Sequence, residues 1–326
     1  MTHAVRIHSN GGPEVLQWEK VEVPEPEAGD AIVRQVAAGL NFIDVYFRTG
    51  LYKVPAFPSV IGNEGAGVVE AVGDGVTEVE VGDRVAYCMS LGSYTQRRLI
   101  PAKQLVKIPK DISEQQAAAA MLKGCTVQYL IRQTYPVQKG ETVLFHAAAG
   151  GCGLIACQWL KHLGVRVIGT VGTAEKAELA RAHGCDHPIV YTEDNFVDRV
   201  KELTDGRGVP VVYDSVGKDT FNDSLECLQP RGLMVSFGNA SGAVEPFAPA
   251  LLAAKGSLFL TRPTLATYTA TRADLEKTST DLFGVLSSGA VTVEVNQTYP
   301  LENAAQAHRD LEARKTTGST ILLTGV

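Results

Sequence analysis

Positive charge is scarce in this chain. Over 326 residues, 30 Lys and Arg face 36 Asp and Glu, a formal net charge of −6, and no basic run exceeds a pair such as Arg97-Arg98. That balance disfavours a general nucleic-acid binder, though local basic pockets for small anions stay open. Long hydrophobic runs are also few. Residues 143–160 carry no Asp, Glu, Lys or Arg, but they hold Gly150, Gly151, Gly153, His146 and Gln158. They read as a buried strand, a glycine turn and a buried helix rather than a membrane span. The opening MTHAVRIHSNGG has no apolar stretch of signal-peptide length, so the expected setting is cytoplasmic. The six cysteines form no C-x-x-C pair and have no histidines at ligand spacing. Free buried thiols are expected, with neither a disulfide framework nor structural zinc.

Apolar residues, by contrast, make up 45% of the chain against 20% charged, enough for substantial cores. The length suggests two domains. Residues 1 to about 110 look β-rich. The segments 31–36, 67–73 and 81–87 read as short strands among Pro24, Pro26, Gly29, Pro55, Pro58, Gly73 and Gly75, the pattern of a small barrel or folded sheet. Ser113 and Gln116 form a capping box at the start of a helix through 117–122, in which Gly124 predicts a bend before 127–131. This helix is expected to carry the chain between domains.

From about residue 140 the period changes. Six short apolar runs, 142–146, 165–171, 187–191, 209–216, 233–238 and 257–261, are mostly separated by helical segments at 154–163, 174–183, 196–203 and 221–228. Strands alternating with helices imply parallel pairing, and six of them match a doubly wound nucleotide-binding sheet. The tail holds two helical stretches, 274–286 and 304–315, then a strand at 320–324. Its return to the N-terminal domain is preferred, and a seventh strand of the nucleotide-binding sheet is the alternative.

The first of the six strands runs into Ala147-Ala-Ala-Gly150-Gly151-Cys152-Gly153 and then a helix. A glycine turn between strand and helix lets backbone approach a pyrophosphate at a helix N-terminus. The second strand's end selects the cofactor. An acid there would hold the ribose 2′-hydroxyl of NADH. The stretch 168–176 instead runs through Gly172 and Thr173, the expected N-cap, to Lys176, a group suited to an extra phosphate. Tyr191 ends the third strand and borders the same region. NADPH is therefore favoured over NADH. The later strand ends, with Ser215, Val216, Phe237, Gly238 and Asn239, are candidates to complete the cofactor site because ligands lie beyond the carboxyl ends of such strands.

With these residues in view, the sequence resembles the zinc-free medium-chain dehydrogenases/reductases, in particular the NADPH:quinone oxidoreductases related to zeta-crystallin. The matching stretches are Gly11-Gly-Pro-Glu-Val-Leu16, Asn41-Phe-Ile-Asp44-Val-Tyr46, Arg48-Thr-Gly-Leu-Tyr52, Leu122-Lys-Gly124, Phe145-His-Ala-Ala-Ala-Gly-Gly151, Val212-Tyr-Asp-Ser-Val-Gly217 and Val235-Ser-Phe-Gly-Asn239. The resemblance implies an α/β fold in which a six-stranded parallel Rossmann domain, 126–262, is inserted into a β-rich GroES-like catalytic domain formed by 1–125 plus 263–326. It also implies a homodimer and a nicotinamide held in a cleft between the domains. Zinc-dependent cousins carry a cysteine where this chain has Asn41 and a histidine where it has Asn63, so no metal is expected.

Without a Lewis acid, an electron-poor quinone is a better acceptor than an alcohol is a donor. The resemblance places Asn41, Tyr46 and Tyr52 around the nicotinamide and substrate as catalytic candidates. Asp44 would orient Tyr46 or bond the cofactor, and Lys123 and Thr126 would face it. Cys152 stands where relatives commonly have valine. A small apolar filler is the preferred reading, and a thiol activated at a helix N-terminus the alternative. Reduction of α,β-unsaturated carbonyls is the competing activity, and an NADPH-binding regulatory or RNA-binding role the competing class.

Overall fold

The computed structural model describes residues 2–326. Packing divides the chain into two units. One comprises everything up to Cys125 together with Thr269–Gly289 and Val293–Val326. The other comprises Thr126–Tyr268 and Ala290–Thr292.

The first unit is built on antiparallel strands. Its larger sheet has the order Val295–Pro300, Ser319–Leu323, Asp30–Gly39, Glu64–Val72, Arg84–Cys88, Val106–Lys107, with Arg97–Pro101 also paired to Asp30–Gly39. Register shifts between Asp30–Gly39 and Glu64–Val72 mark bulges, which bend paired strands. A smaller sheet joins Thr2–Ile7 to Gln17–Val21 and Ser59–Val60. Apolar clusters lie under both, one around Val33, Val69, Val85 and Ile100, another around Ile7, Leu40, Ile61 and Leu322. The terminal strand pairs antiparallel with Asp30–Gly39, Ile321 opposite Gly39, so it does return to the N-terminal segment.

In the second unit, six parallel strands take the order His187–Val190, Arg166–Val171, Thr142–Phe145, Val209–Asp214, Leu228–Ser236, Phe259–Thr261. Numbered along the chain this is 3-2-1-4-5-6, with the order reversing between Thr142–Phe145 and Val209–Asp214. The helices Gly151–His162, Ala174–Ala182, Phe196–Leu203 and Phe221–Glu226 supply the crossovers. Leu144, Ile168, Ile189, Val212 and Met234 from the strands pack with Phe196, Val200, Phe221 and Leu225 from the helices into one core.

Two sequence expectations need adjustment. The capping box forms as expected, Ser113 N–H donating to Gln116 Oε1 at 3.0 Å and Gln116 N–H to Ser113 Oγ at 3.2 Å. However, the helix runs unbroken from Glu114 to Tyr129, through Gly124, and gives way to a π-helical segment only at Leu130–Thr134. Gly124 is there for close packing, since a Cβ would collide with the Leu282 side chain. The strand expected at 233–238 begins earlier, at Leu228. Among the described residues, no helix is long and apolar enough to cross a membrane.

Candidate functional site

In the second unit, the candidate residues gather at the carboxyl ends of the strands. Thr142–Phe145 ends at His146, whose ring is buried between Thr170 Oγ1, 2.8 Å away, and Ser224 Oγ, 2.9 Å away. The chain then turns through Ala147 in the left-handed region, φ 55°, with Ala148 N–H donating to Thr170 O and Gly150 N–H to Ala147 O. The helix starts at Gly151, so Gly150, Gly151 and Cys152 lie at its amino end. Gly153 is the tightest position: a Cβ would strike the Ala147 and Ala148 carbonyl groups. Sequence reasoning saw Gly153 in the turn without naming it as a site residue, yet it is what lets helix and strand approach.

The second strand ends at Val171 with no acid at its tip. Thr173 caps the following helix, its Oγ1 accepting from Lys176 N–H at 3.3 Å, which places Lys176 in the first turn. The Tyr191 hydroxyl stands beside Gly172, 3.0 Å from where a Cβ would be. Gly172, Thr173, Lys176 and Tyr191 are thus neighbours. Two further turns are zipped together on the other side of the switch point. Asp214 Oδ1 accepts from Val216 and Gly217 N–H at 2.7 and 3.1 Å. Phe237 N–H donates to Asp214 O, Ala240 N–H to Ser215 O, and Ser241 N–H to Val216 O. A Cβ on Gly238 would hit the Ser215 backbone, and the Phe237 ring packs 5.9 Å from that of Phe145. Asn239 follows in the same turn. Thr126 is buried in the helix Glu114–Tyr129, away from these strand-end turns in sequence.

The first unit holds a second constellation, two buried carboxylates around Asn41. Glu64 is wholly inaccessible and accepts from Asn41 Nδ2 at 2.8 Å, Leu122 N–H at 2.6 Å and Lys123 Nζ at 3.2 Å. Its charge is balanced by the Lys123 ammonium. Because a carboxylate only accepts, the Asn41 amide must present its nitrogen to Glu64. Space for this carboxylate comes from Gly39, where a Cβ would overlap Glu64.

Asp44, on the helix Phe42–Thr49, accepts from Asn41 N–H at 3.0 Å, Asn63 Nδ2 at 2.9 Å and the Tyr94 hydroxyl at 3.0 Å. All three donors are neutral. Burial pushes the carboxyl up to about 6 against these hydrogen bonds, and the Glu64 charge adds to the rise. Asp44 is bonded to Tyr94, and side chains two apart on a helix, such as Asp44 and Tyr46, do not face each other. Tyr46 and Tyr52 do meet, ring centroids 5.3 Å apart at 70°, with Tyr52 N–H donating to Tyr46 O.

Behind Tyr94 lies His308, its Nε2 3.1 Å from the hydroxyl and its Nδ1 3.2 Å from Arg48 Nη1. Burial and the Arg48 cation pull this imidazole down to about 3, so it is neutral. Arg48 in turn grips Glu312 through Nη1 and Nη2 at 2.9 and 2.8 Å. Tyr94, Arg48 and His308 carried no sequence signal for such a role.

The positions that hold zinc in the cousins do not suit it here. Asn41 and Asn63 offer amides in place of thiolate and imidazole, and both are committed to carboxylates. Of the two acids nearby, Glu64 is paired with the Lys123 ammonium and Asp44 is taken up by three hydrogen-bond donors. Among the described residues, no three His, Cys, Asp or Glu side chains are grouped to ligate a metal.

Residues 151–279 match the zinc-binding dehydrogenase family and 27–110 the alcohol dehydrogenase GroES-like domain. The quinone oxidoreductase of Pseudomonas aeruginosa is 53% identical over 324 residues, covering 99% of this chain and 100% of that one. A 2-haloacrylate reductase from Burkholderia is 47% identical, with 99% of each chain covered. The crystal structure of Escherichia coli quinone oxidoreductase complexed with NADPH is 50% identical and superposes with a TM-score of 0.97, covering 98% of this chain and 99% of that one. With strand order, glycine turn and end-to-end similarity in agreement, the chain belongs to the quinone oxidoreductase family, a zinc-independent branch of the medium-chain dehydrogenases/reductases.

Proposed function

We propose that this protein is an NADPH-dependent quinone reductase. The observation that carries the reading is the likeness, over nearly the whole chain, to quinone oxidoreductases. The residues present fit the cofactor. The glycine turn leads into the N-terminus of the helix Gly151–His162, which suits a pyrophosphate, and the acid-free strand end with Lys176 and Tyr191 suits a 2′-phosphate. Gly150, Gly151, Cys152, Gly172, Thr173, Ser215, Val216, Phe237, Gly238 and Asn239 form the remaining wall we assign to it.

Bound NADPH supplies the hydride. The chain's own task is then to orient two partners and to stabilise negative charge developing on the acceptor oxygen. We assign that task to Asn41, Tyr46 and Tyr52. One Asn41 Nδ2 hydrogen goes to Glu64 and the other is available to an oxygen. The tyrosine hydroxyls are donors of the kind an emerging hydroquinone needs. Lys123 keeps Glu64 compensated, and we assign Lys123 and Thr126 to the cofactor as well. We assign catalysis to 1–125 plus 263–326 and NADPH binding to 126–262. We further propose a cytoplasmic homodimer, with the exposed Phe259 on the edge strand Phe259–Thr261 as a contact. The net charge of −6 supports no general nucleic-acid role.

The test is NADPH oxidation by the purified protein with a panel of quinones and activated alkenes under identical conditions. Turnover is expected to favour quinones. The 2-haloacrylate reductase likeness supports reduction of an activated C=C as the second reading, and a strong preference for such substrates would reverse the order. NADPH binding without turnover of either class would favour a regulatory protein.

A further inference from the structure

We propose that Arg48, His308 and Tyr94 are positioning residues that act through Asp44 to hold Asn41 in its working orientation, so that the C-terminal helix Ala304–Glu312 helps to set the reactive centre. This rests on the assignment of Asn41 to the reaction. Four observations carry it. The groups are in line, Arg48 Nη1 to His308 Nδ1 at 3.2 Å, His308 Nε2 to Tyr94 Oη at 3.1 Å, Tyr94 Oη to Asp44 Oδ2 at 3.0 Å, and Asp44 Oδ2 to Asn41 N–H at 3.0 Å. All are buried: Arg48 is 1% exposed, Asp44, Tyr94 and His308 not at all. The direction of every bond is forced, because a guanidinium only donates. His308 Nδ1 must therefore accept, Nε2–H must donate to Tyr94, and the Tyr94 hydroxyl is left to donate to Asp44. Finally, the far end is anchored by the paired Arg48–Glu312 contact.

A chain with one allowed polarity has one low-energy arrangement. Asp44 fixes the Asn41 backbone at the N-cap of Phe42–Thr49, while Glu64 takes its side-chain nitrogen. The Asn41 backbone is thus held by Asp44 and its side chain by Glu64. Removing the Tyr94 hydroxyl strips Asp44 Oδ2 of one donor and leaves His308 Nε2–H without its acceptor, loosening the N-cap without changing the shape of the core.

The charged and titratable groups around Asp44 are Glu64 and, behind it, Lys123, then Tyr94, neutral His308 and Arg48; its remaining neighbours Asn41 and Asn63 are uncharged. The Tyr94 hydrogen bond lowers the Asp44 carboxyl, so its loss raises it further. The experiment follows the Asn41 side-chain amide resonances between pH 5 and 8 in wild type, Tyr94→Phe and Tyr299→Phe, alongside kcat and KM for a quinone. Tyr299 donates to Asp310 on the same C-terminal helix and serves as the control for loss of a tyrosine hydroxyl.

Expected are Asn41 resonances that titrate with Asp44, a midpoint raised by about half a unit or more in Tyr94→Phe, a roughly tenfold lower kcat with KM little changed, and a Tyr299→Phe variant like wild type. Unmoved resonances in Tyr94→Phe, or equal effects of the two variants, would overturn the proposal. Resonances that respond without any change in quinone turnover would leave the positioning intact and remove Asn41 from the reaction. Should Tyr94→Phe fail to fold, Asp44→Asn is read instead: the titration must vanish from the Asn41 resonances, and its persistence overturns the proposal.

Discussion

Arg48 and His308, 260 positions apart in sequence, meet in the core with Nη1 3.2 Å from Nδ1. The contact fixes the imidazole tautomer, with its proton on Nε2, and makes protonation of the ring costly because a second cation would face the first. The His308 pKa of about 3 lies below its value in an unfolded chain, 6.5. Its contribution to stability is therefore complete above pH 6.5 and is lost as pH falls towards 3. Asp44 works in the opposite sense. Raised from 3.8 to about 6, it contributes stability at low pH that is lost as pH rises through 6. Between pH 6 and 4 the two slopes oppose each other. His308→Gln removes only the first. The unfolding free energy of this variant, measured in urea, is expected below wild type at pH 7, with the gap narrowing by about 3 kcal/mol at pH 4. A gap independent of pH would mean that His308 does not titrate on unfolding.

The Glu64–Lys123 pair gives a second test. Glu64→Gln keeps the shape but turns one of the two accepting oxygens into a donor and leaves the buried ammonium without its carboxylate. Breaking one side of a buried pair costs about 3 kcal/mol or more. Most of this should return in Glu64→Gln with Lys123→Met, where the charge is gone as well. A double variant no more stable than Glu64→Gln alone would show that Glu64 matters through Leu122 N–H and Asn41 rather than through charge.

What could be read from sequence depended on distance along the chain. The six parallel strands, the glycine turn and the Thr173 cap are encoded within windows of ten to twenty residues, where a changed hydrophobic period and a local side-chain–backbone bond leave a trace. The return of Ser319–Leu323 to Asp30–Gly39 was readable as one of two alternatives. The core of the first unit was not readable in this way. Tyr94 and His308 are ordinary residues until the fold places them 3.1 Å apart. The resemblance offered Asp44 either Tyr46 or the cofactor as a partner, whereas the bond to Tyr94 spans 50 positions and leaves no local trace. Gly124 suggested a bend by propensity, and packing against Leu282 overrode it.

Two glycines separate packing from propensity. At Gly153 a Cβ would meet backbone carbonyl groups, which cannot step aside, so Gly153→Ala is expected to cost about 3 kcal/mol or more and to abolish NADPH binding. At Gly284, inside the helix Arg272–Ser287, a Cβ meets nothing within 4 Å. Gly284→Ala should stabilise the protein by about 0.5–1 kcal/mol, since alanine is the better helix former. Thermal unfolding of the two variants checks both signs. A Gly153→Ala protein that binds NADPH normally would show that the turn can open.

We assign cofactor choice to the end of Arg166–Val171. A 2′-hydroxyl needs an acceptor there and a 2′-phosphate needs a cation. The strand tip has no acid, and Lys176 follows one turn later behind the Thr173 cap, where the helix N-terminus adds positive potential of its own. Lys176→Ala removes the side-chain charge and keeps the cap, because the bond to Thr173 comes from the backbone N–H. NADPH affinity measured by fluorescence titration should fall about tenfold or more, the loss of one charge-assisted contact, while NADH affinity stays within about twofold. The ratio of the two is the informative quantity, since a general disturbance of the helix would weaken both. An unchanged ratio would take Lys176 out of the phosphate site and leave the helix dipole and the Tyr191 hydroxyl to account for the selectivity.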